Sequence, residues 1–215
     1  MRSGPRRCGK RAAAVSARRV AAVVAAAGLS SRMGAFKPLL PLGKQTLLEA
    51  ALAPLRAAGA SPIVVVTGYR GAEIEARLRG QAVLCVRNDD YAASDMLASL
   101  RLGLRALKGG FDRVLLLPGD AAGILAETVR RLLETEGEVL RPVFDGRPGH
   151  PAALSAAAAR DLLDYDGPDG LRGFLRTRTV CEMETHDPGA ALDADTPEDY
   201  EKLRALWRGR EEDGQ

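Results

Sequence analysis

The sequence predicts one α/β domain of three layers, with helices on both faces of a mostly parallel central sheet. Two mainly apolar runs, Ile63–Thr67 and Arg113–Pro118, have the composition of strands buried on both faces. Segments with apolar residues at helical spacing separate such runs along the chain. Aromatic residues make up only 4% of the 215 residues and hydrophobic residues 46%, so the core must consist largely of Ala, Leu and Val. Such side chains suit helices that pack closely on a sheet.

The domain is expected to span residues 20–208, because the composition changes outside these limits. Residues 1–19 contain seven Lys and Arg residues and no acidic residue, and we predict a disordered leader there. The leader lacks the aromatic residues and the helical periodicity of a nucleic-acid-binding arm, so no nucleic-acid partner is expected. Residues 209–215 are predicted to form a polar tail.

The cysteines and the hydropathy pattern indicate the compartment. Three cysteines, Cys8, Cys85 and Cys181, are widely separated and lack metal-binding spacing, which is typical of a reduced, cytoplasmic chain. Cys85 and Cys181 lie in apolar strand patterns and are expected to be small buried side chains rather than nucleophiles. No apolar run approaches the length of a membrane-spanning helix, so no membrane partner is expected.

The segment from Val20 to Leu42 is the centre of the functional prediction. It begins as a buried strand and breaks at Gly28 into a turn of small residues. Such a turn leaves backbone N–H groups unpaired, and Gly28 lets an anion approach them closely. Arg32 and Lys37 add two positive charges to the same loop. The segment therefore predicts a binding site for a triphosphate, although an ordinary strand-to-loop junction with two solvated cations is the alternative.

The motif in this segment reads A-A-G-L-S-S-R-M-G followed by F-K-P-L-L-P-L, and it fits neither G-x-x-x-x-G-K-[ST] nor G-x-G-x-x-G. It resembles the signature of the MobA-like nucleotidyltransferase family, in its cytidylyltransferase branch. The resemblance implies a Rossmann-like sheet of the nucleotide-diphospho-sugar transferase type, and it implies that Arg32 and Lys37 are catalytic. The nucleotide-binding residues that it implies here are Ala26, Ala27, Gly28, Leu29, Ser30, Arg32 and Lys37.

The next elements complete a strand–helix–strand unit. Thr46 and Glu49 have the spacing of a capping box and predict a helix start, and Ile63–Thr67 is followed directly by Gly68. A right-handed crossover between two parallel strands places their carboxyl ends on one rim of the sheet. Gly68 is therefore predicted to lie on the same rim as Gly28 and to belong to the nucleotide-binding residues.

A third strand, near residues 82–86, ends just before Asn88. Apolar residues at helical spacing follow, so a helix is predicted to begin near Ser94 or Asp95 at the same rim. The segment resembles the N-x-x-Y...M-x-x-S-L pattern of the family. The resemblance implies that Asn88 binds the nucleotide and that Ser94 and Ser99 contact the acceptor. An Asx turn and a helix cap explain Asn88 and Ser94 almost as well.

Arg113–Pro118 is the clearest buried strand in the sequence, and it ends directly in Gly119 and Asp120. A carboxylate there lies at the mouth of the sheet, and Mg²⁺ commonly takes one or two carboxylates plus substrate phosphates. Asp120 is therefore predicted to be a catalytic metal ligand, and it matches a Gly-Asp pair of the family; a helix cap is its alternative role. The sequence continues as GDAAG where the family carries a proline, so a loose loop is expected.

Two later segments are assigned to the acceptor by the resemblance. An Asp-Gly turn predicts that the chain returns as an antiparallel strand at residues 152–154. The G-H-P string beside it resembles a family segment that lines the acceptor side, which implies that Gly149 and His150 bind the acceptor. Arg172 and Arg176 lie in a short helix that resembles another acceptor-side segment, and Arg172 is predicted to bind the acceptor. A hydrogen-bonded loop contact for His150 and solvated helix cations for the arginines are the alternatives.

The last motif is L-D-A-D-T-P-E-D-Y, in which Thr196 and Pro197 predict a helix start. Asp193 and Asp195 alternate in an extended segment and point to one side. One of them can join Asp120 at a single Mg²⁺, so these three aspartates are the predicted metal ligands. The string closely resembles the end of the family pattern. Helix capping is the alternative, although two carboxylates exceed what capping requires.

The expected reaction is transfer of a CMP group from CTP to a phosphate-bearing molybdopterin, with Mg²⁺ as cofactor and pyrophosphate as the leaving group. The base and the acceptor are implied by the resemblance alone, chiefly by A-A-G and by G-H-P. A transient contact with a molybdoenzyme or its chaperone is also expected. Three alternatives stay open: a guanylyltransferase of the same fold, a sugar-phosphate or lipid-precursor nucleotidyltransferase, and a catalytically silent nucleotide-binding module.

Overall fold

The computed structural model describes residues 6–7, 18–30 and 33–212, and strands and helices alternate through most of this range. The strands are β1 (Arg6–Arg7), β2 (Val20–Ala26), β3 (Pro41–Leu42), β4 (Gln45–Thr46), β5 (Ile63–Thr67), β6 (Leu84–Arg87), β7 (Arg113–Pro118), β8 (Val139–Phe144), β9 (Arg147–Pro148), β10 (Ala152–Ser155) and β11 (Val180–Glu184). The α-helices are α1 (Leu47–Ala57), α2 (Gly71–Arg77), α3 (Met96–Ala106), α4 (Ala126–Glu134), α5 (Ala156–Asp164), α6 (Gly170–Arg176) and α7 (Pro197–Glu212). Short 3₁₀ turns cover Lys37–Leu39 and Pro188–Ala191.

One nine-stranded sheet forms the middle of the described structure. Its strands lie in the order β1-β11-β8-β10-β7-β2-β5-β6, with β9 paired to β8, and β3 and β4 form a separate hairpin. Along this order, β10 runs antiparallel to both of its neighbours and the other adjacent strands are parallel. The predicted mostly parallel sheet and its antiparallel return strand are therefore confirmed.

The sheet separates two apolar layers. Alternate residues of β2 face opposite sides, so that Ala22 and Val24 pack in the layer beneath α1 and α4, while Ala21 and Val23 pack in the layer beneath α3 and α5. Helix α3 approaches the sheet so closely that a Cβ atom on Gly103 would lie 2.3 Å from Cγ1 of Val23. The three-layer, Rossmann-like α/β/α architecture is confirmed.

Side-chain caps fix the starts of the helices that the sequence predicts most clearly. Thr46 Oγ1 accepts a hydrogen bond from the Glu49 N–H at 3.3 Å, and the Glu49 carboxylate accepts one from the Thr46 N–H at 2.9 Å. Asp95 caps α3 by accepting a hydrogen bond from the Ala98 N–H at 2.8 Å. These caps satisfy N–H groups that a helix start leaves without partners, so both predicted starts are confirmed.

Described elements extend beyond the expected limits of the domain at both ends. Residues 1–5 and 8–17 of the predicted leader lie outside the described residues. Arg6–Arg7 pairs in parallel with β11, so this part of the leader belongs to the sheet. Helix α7 continues to Glu212, four residues beyond the expected boundary at 208, because the side chain of Arg210 packs into the domain.

Two of the cysteines can be compared with the expectation of a reduced chain. Cys85 is a free, half-buried thiol, and burial together with the nearby charge of Glu75 raises its pKa, which makes it a poor nucleophile. Cys181 is buried as predicted, but it is disulfide-bonded, so the expectation of a free thiol is wrong there. In the part of the chain that the structure describes, no helix has the length and apolar content needed to cross a bilayer.

Candidate active site

A cleft of about 1500 Å³ runs across the sheet from β2 to β11 and includes the rim where β2 and β7 end. Its β2 side contains the turn after β2 and the residues that follow β7. Its β11 side contains residues of β8, β10, β11 and α6. The predicted site residues that line the cleft are Ala26, Ala27, Gly28, Ser30, Lys37, Ser94, Ser99, Asp120, Gly149, His150, Arg172, Asp193 and Asp195. Predicted nucleotide and acceptor residues thus share one cleft.

The turn after β2 is open to a ligand. A Cβ atom added to Gly28 would meet no other atom within 4 Å, so space adjoins the backbone there. Ser30 has a left-handed conformation with φ of 55°, and its hydroxyl accepts a hydrogen bond from the Lys37 N–H at 3.2 Å. This bond joins the two ends of the loop. Arg32 lies outside the described residues, so its predicted role stays a prediction.

Lys37 brings together two segments that are far apart in the sequence. Its side chain is buried, and its Nζ donates hydrogen bonds to Asp120 Oδ2 at 2.8 Å and to Asp195 Oδ1 at 2.7 Å. Asp120 follows β7, and Asp195 precedes α7. The ammonium group therefore fixes the relative position of both carboxylates at the β2 side of the cleft.

The same carboxylates determine the charge of Lys37. Burial by itself lowers the pKa of this lysine, but the hydrogen bonds and charges of Asp120 and Asp195 outweigh that effect and raise the pKa above its ordinary value of 10.5. Lys37 therefore stays protonated at neutral pH. It can act as a fixed positive charge and is unsuited to act as a general base.

His150 and Asp193 face each other beside this group. His150 Nε2 lies 3.4 Å from Asp193 Oδ2, and the His150 N–H donates a hydrogen bond to the Ala190 carbonyl at 2.7 Å. A Cβ atom on Gly149 would lie 2.2 Å from the same carbonyl, so only glycine allows the backbone to approach this closely. Gly149 is needed for packing, and His150 combines a backbone contact with a side chain in the cleft.

The three predicted metal ligands lie in adjoining segments. The Ala194 N–H donates to the Asp120 carbonyl at 3.4 Å, which sets the segment containing Asp193 and Asp195 beside the loop after β7. Among the described residues, no group of three His, Cys, Asp or Glu side chains could hold a metal ion. A hard cation such as Mg²⁺ needs only one or two protein carboxylates, because substrate oxygens complete its coordination shell. The carboxylates of Asp120, Asp193 and Asp195 are suitable ligands for such a cation.

Three described residues that are predicted to bind the nucleotide, Leu29, Gly68 and Asn88, lie outside the cleft lining. A Cβ atom on Gly68 would lie 2.6 Å from Tyr91 Cβ and 2.7 Å from the Ala27 carbonyl oxygen, so Gly68 packs behind the turn and supports it. Leu29 is 49% exposed and is not among the lining residues. Gly68 therefore shapes the turn, while the structure gives Leu29 no contact with the cleft.

Asn88 is buried beneath the cleft rather than in its wall. Its Nδ2 donates hydrogen bonds to Ser94 Oγ and Ser99 Oγ, each at 3.0 Å. Its Oδ1 accepts a hydrogen bond from the Asp90 N–H at 3.1 Å, which is the Asx turn that is the alternative role for this residue. Asn88 thus positions two serines that line the cleft, and its direct nucleotide contact stays a prediction.

The loop after β7 is firmly packed, against the expectation from GDAAG. Ala121, Ala122 and Ile124 are all buried, with at most 5% of their surface exposed. The backbone of Gly123 lies against that of Gly189, where an added Cβ atom on Gly189 would be 1.8 Å from the Gly123 carbonyl oxygen. The expected looseness is therefore wrong, because small residues let this loop pack directly on a neighbouring segment.

Two arginines on the β11 side were missed by the sequence prediction. Arg141 lies in β8 and donates from Nε to Glu182 at 3.0 Å, and Arg178 lies 2.8 Å from Asp161. Both line the cleft. The available signal was the charge of Arg141 within the otherwise apolar run Val139–Phe144, which is unusual for a strand in the middle of a sheet.

The comparison with known families identifies the kind of protein that carries this cleft. A model of the MobA-like NTP transferase domain matches residues 22–188. The chain belongs to this family. As a MobA-like NTP transferase it is a nucleotidyltransferase-family enzyme, and the family resemblance found in its motifs is confirmed.

This MobA-like transferase is similar to two enzymes that transfer different nucleotides and to a solved structure with a bound metal. The molybdenum cofactor cytidylyltransferase of Escherichia coli is 30% identical over 181 residues, which covers 83% of this chain and 92% of that protein. A phosphoenolpyruvate guanylyltransferase of Rubrobacter xylanophilus is 34% identical over 193 residues, covering 83% of this chain and 88% of that protein. A Mycobacterium tuberculosis protein solved in complex with manganese is 26% identical with a TM-score of 0.75, covering 88% of this chain and 100% of that chain.

Proposed function

We propose that this MobA-like transferase moves a CMP group from CTP to a phosphate-bearing molybdopterin and releases pyrophosphate. The observation that carries the proposal is the convergence of Lys37, Asp120 and Asp195 beside the open turn at Gly28. With a divalent cation on its carboxylates, such a site would bind a triphosphate and offset its charge. The choice of CTP and of a pterin acceptor is supported by the Escherichia coli relative and by the A-A-G and G-H-P motifs.

The reaction requires no nucleophile from the protein. A phosphate oxygen of the acceptor attacks the α-phosphorus of CTP and forms a new P–O bond. The bond from the α-phosphorus to the bridging oxygen breaks, and that oxygen leaves with its electron pair as part of pyrophosphate. The protein supplies positioning and charge cancellation. Lys37 offsets charge on the phosphates, and the N–H groups of the turn at Gly28 bind phosphate oxygens.

Mg²⁺ is the proposed cofactor, with Asp120 and either Asp193 or Asp195 as its protein ligands. When bound, the ion would neutralise negative charge on the nucleotide phosphates. Asp193 Oδ1 is buried and has no hydrogen-bond partner among the described residues, so this oxygen is available as a metal ligand. The manganese complex of the Mycobacterium tuberculosis relative supports a divalent cation in proteins of this fold.

The β11 side of the cleft is proposed to hold the acceptor. Arg172 and Arg176 of α6 line it together with His150, and the apolar side chains of Met96 and Leu171 line it as well. Cationic groups beside an apolar surface suit an acceptor that combines a phosphate with a ring system. Ser94 and Ser99 add hydroxyl donors to the same lining.

A guanylyl transfer is the second candidate. It is favoured by the similarity to the phosphoenolpyruvate guanylyltransferase, which exceeds 30% identity over most of both chains. The two candidates differ in the nucleotide base and in the acceptor, whereas the site around Lys37 serves both. The cytoplasmic location and the contact with a molybdoenzyme or its chaperone stay predictions from the sequence.

A pyrophosphate-release assay with each of the four NTPs, Mg²⁺ and molybdopterin tests the proposal. We expect turnover with CTP and at least roughly tenfold lower kcat/KM with each other nucleotide, because the base pocket must discriminate by its polar contacts. Removing Mg²⁺ with a chelator should abolish pyrophosphate release. Preference for GTP, or turnover with phosphoenolpyruvate and not with molybdopterin, would instead establish the second candidate.

A further inference from the structure

A buried carboxylate behind the cleft connects the two segments that contain the active-site aspartates. The Asp187 side chain is only 2% exposed. Its Oδ2 accepts hydrogen bonds from the Leu125 N–H at 2.7 Å and from Thr128 Oγ1 at 2.8 Å, and its Oδ1 accepts from the Gly189 N–H at 3.1 Å. Leu125 ends the loop that contains Asp120, so Asp187 is bonded directly to that loop.

Arg210 completes this arrangement from α7. Its Nη2 donates to Asp187 Oδ1 at 2.8 Å, and its Nη1 donates to the Gly123 carbonyl. The Arg210 side chain is 14% exposed. One guanidinium group therefore bonds both to the loop after β7 and to the residue that begins the segment before α7. The planar fork of arginine makes such two-directional bonding possible, whereas lysine has a single nitrogen.

The geometry continues from this pair to the carboxylates themselves. Along the chain, only two residues separate Asp120 from Gly123 and five separate Asp187 from Asp193. Between the two segments, Gly189 lies against Gly123, and the Ala194 N–H donates to the Asp120 carbonyl at 3.4 Å. A shift of either segment would thus change the distance between Asp120 and the aspartates before α7.

We propose that Arg210 and Asp187 are positioning residues of the active site. Their buried ion pair clamps residues 119–125 to residues 187–195 and thereby sets the separation of the carboxylates around Lys37. Neither residue lines the cleft, so neither touches the substrate. The effect on catalysis rests on the proposed function, whereas the clamp itself does not depend on which nucleotide is transferred.

The test compares the full-length Arg210→Gln, Arg210→Lys and Asp187→Asn variants with Arg208→Gln, which removes an exposed charge from the same helix. Hydrogen–deuterium exchange should become at least roughly tenfold faster in peptides covering 119–125 and 193–195 and stay unchanged in β2. With CTP and molybdopterin, kcat should fall about a hundredfold and KM for CTP should change less than about twofold, because a small misplacement affects the reacting geometry more than ground-state binding. Arg210→Lys should give an intermediate result, since it restores the charge but only one of the two bonds.

The two readouts separate the outcomes. Unchanged exchange in residues 119–125 of a folded Arg210→Gln variant would refute the clamp. Faster exchange with kcat close to that of Arg208→Gln would refute the positioning role and leave a structural ion pair. If Arg210→Gln does not fold, Thr128→Val replaces it, because this change removes one hydrogen bond to Asp187 at similar side-chain volume. Exchange in residues 119–125 should then become faster, by less than in Arg210→Gln. Unchanged exchange in Thr128→Val would also refute the clamp. If wild-type protein does not turn over CTP, the proposed function fails while the exchange result still decides the clamp.

Discussion

On the β2 side of the cleft, an ammonium group and its two carboxylate partners all line the cleft, whereas on the β11 side arginines line it while their carboxylate partners lie outside the described lining. Lys37 is bonded to Asp120 and Asp195, and all three residues line the cleft. Arg141 and Arg178 also line it, but the carboxylates paired with them are not among the described lining residues. The first side thus carries one positive and two negative charges in fixed positions, and on the second side the groups named here that face the cleft are cationic. This difference suits a reaction centre on one side and attraction of an anionic acceptor on the other.

The largest effect is expected from removing the single cation on the β2 side. Lys37→Met removes the ammonium group and leaves Asp120 and Asp195 close together without their shared cation. We expect kcat for pyrophosphate release to fall about a thousandfold, the upper range for loss of one preorganised charge-stabilising donor. Steady-state kinetics with CTP measures this change, and a thermal melt confirms that the variant is folded. Lys44→Met, an exposed lysine in the following hairpin, is the control. A Lys37→Met variant that keeps a tenth of wild-type kcat would show that this charge is not needed.

An intermediate effect is expected on the β11 side. Arg172→Ala removes an exposed cation from the cleft, and we expect KM for the acceptor to rise about tenfold while KM for CTP stays nearly constant. Varying molybdopterin and CTP separately measures both values. Arg160→Ala, an exposed arginine of α5 outside the cleft lining, should leave both unchanged. If instead the two KM values rose together, the assignment of the two sides of the cleft to two different substrates would be wrong.

The smallest effect is expected for a carboxylate remote from the cleft, which serves as a reference for a purely structural charge. Burial alone raises the pKa of Glu49, but hydrogen bonds from Arg77 and Thr46 outweigh it and hold the pKa below its ordinary value of 4.5. The ionised form therefore stabilises the fold above that pH, and this contribution is lost as the pH falls through the lowered pKa. Glu49→Gln should lower the free energy of unfolding by about 1 kcal/mol at neutral pH, with a smaller difference in acid.

Urea unfolding at both pH values checks this expectation. Glu127→Gln, an exposed change in the first turn of α4, is the control and should have a smaller effect. A difference between Glu49→Gln and wild type that grew on acidification would contradict the sign of the pKa shift. Activity of Glu49→Gln at neutral pH should be unchanged.

The sequence was sufficient to predict those features of the structure that depend on residues close together in the chain. The strand Arg113–Pro118 follows from a continuous apolar run, and the starts of α1 and α3 follow from Thr46, Glu49 and Asp95, which cap within three residues. The rim where Gly28 and Asp120 meet follows from the parallel direction of β2 and β7, whose carboxyl ends lie at the same edge. These features could be predicted because the physical cause and its effect lie close together in the chain or obey a general rule of topology.

The rest depends on contacts between distant segments. The bonds of Lys37 to Asp120 and Asp195 span 83 and 158 residues, so the sequence could place these groups on one rim but could not pair them. Asn88 has a polar side chain at a strand end, as a ligand-binding residue would. Only the structure shows that its amide donates hydrogen bonds to two serines. Arg210 follows Leu203 and Trp207 at helical spacing, which places it on the packed face of α7, but its partner Asp187 is 23 residues away and could not be identified from the sequence.

The size of the cleft bears on the order of events during the reaction. At about 1500 Å³ it exceeds the roughly 300–1000 Å³ typical of a pocket for one small molecule. Donor and acceptor can therefore occupy it together as a ternary complex, and neither product has to depart before the second substrate arrives. A single direct displacement in such a complex inverts the stereochemistry at phosphorus, as chirally labelled nucleotide would reveal.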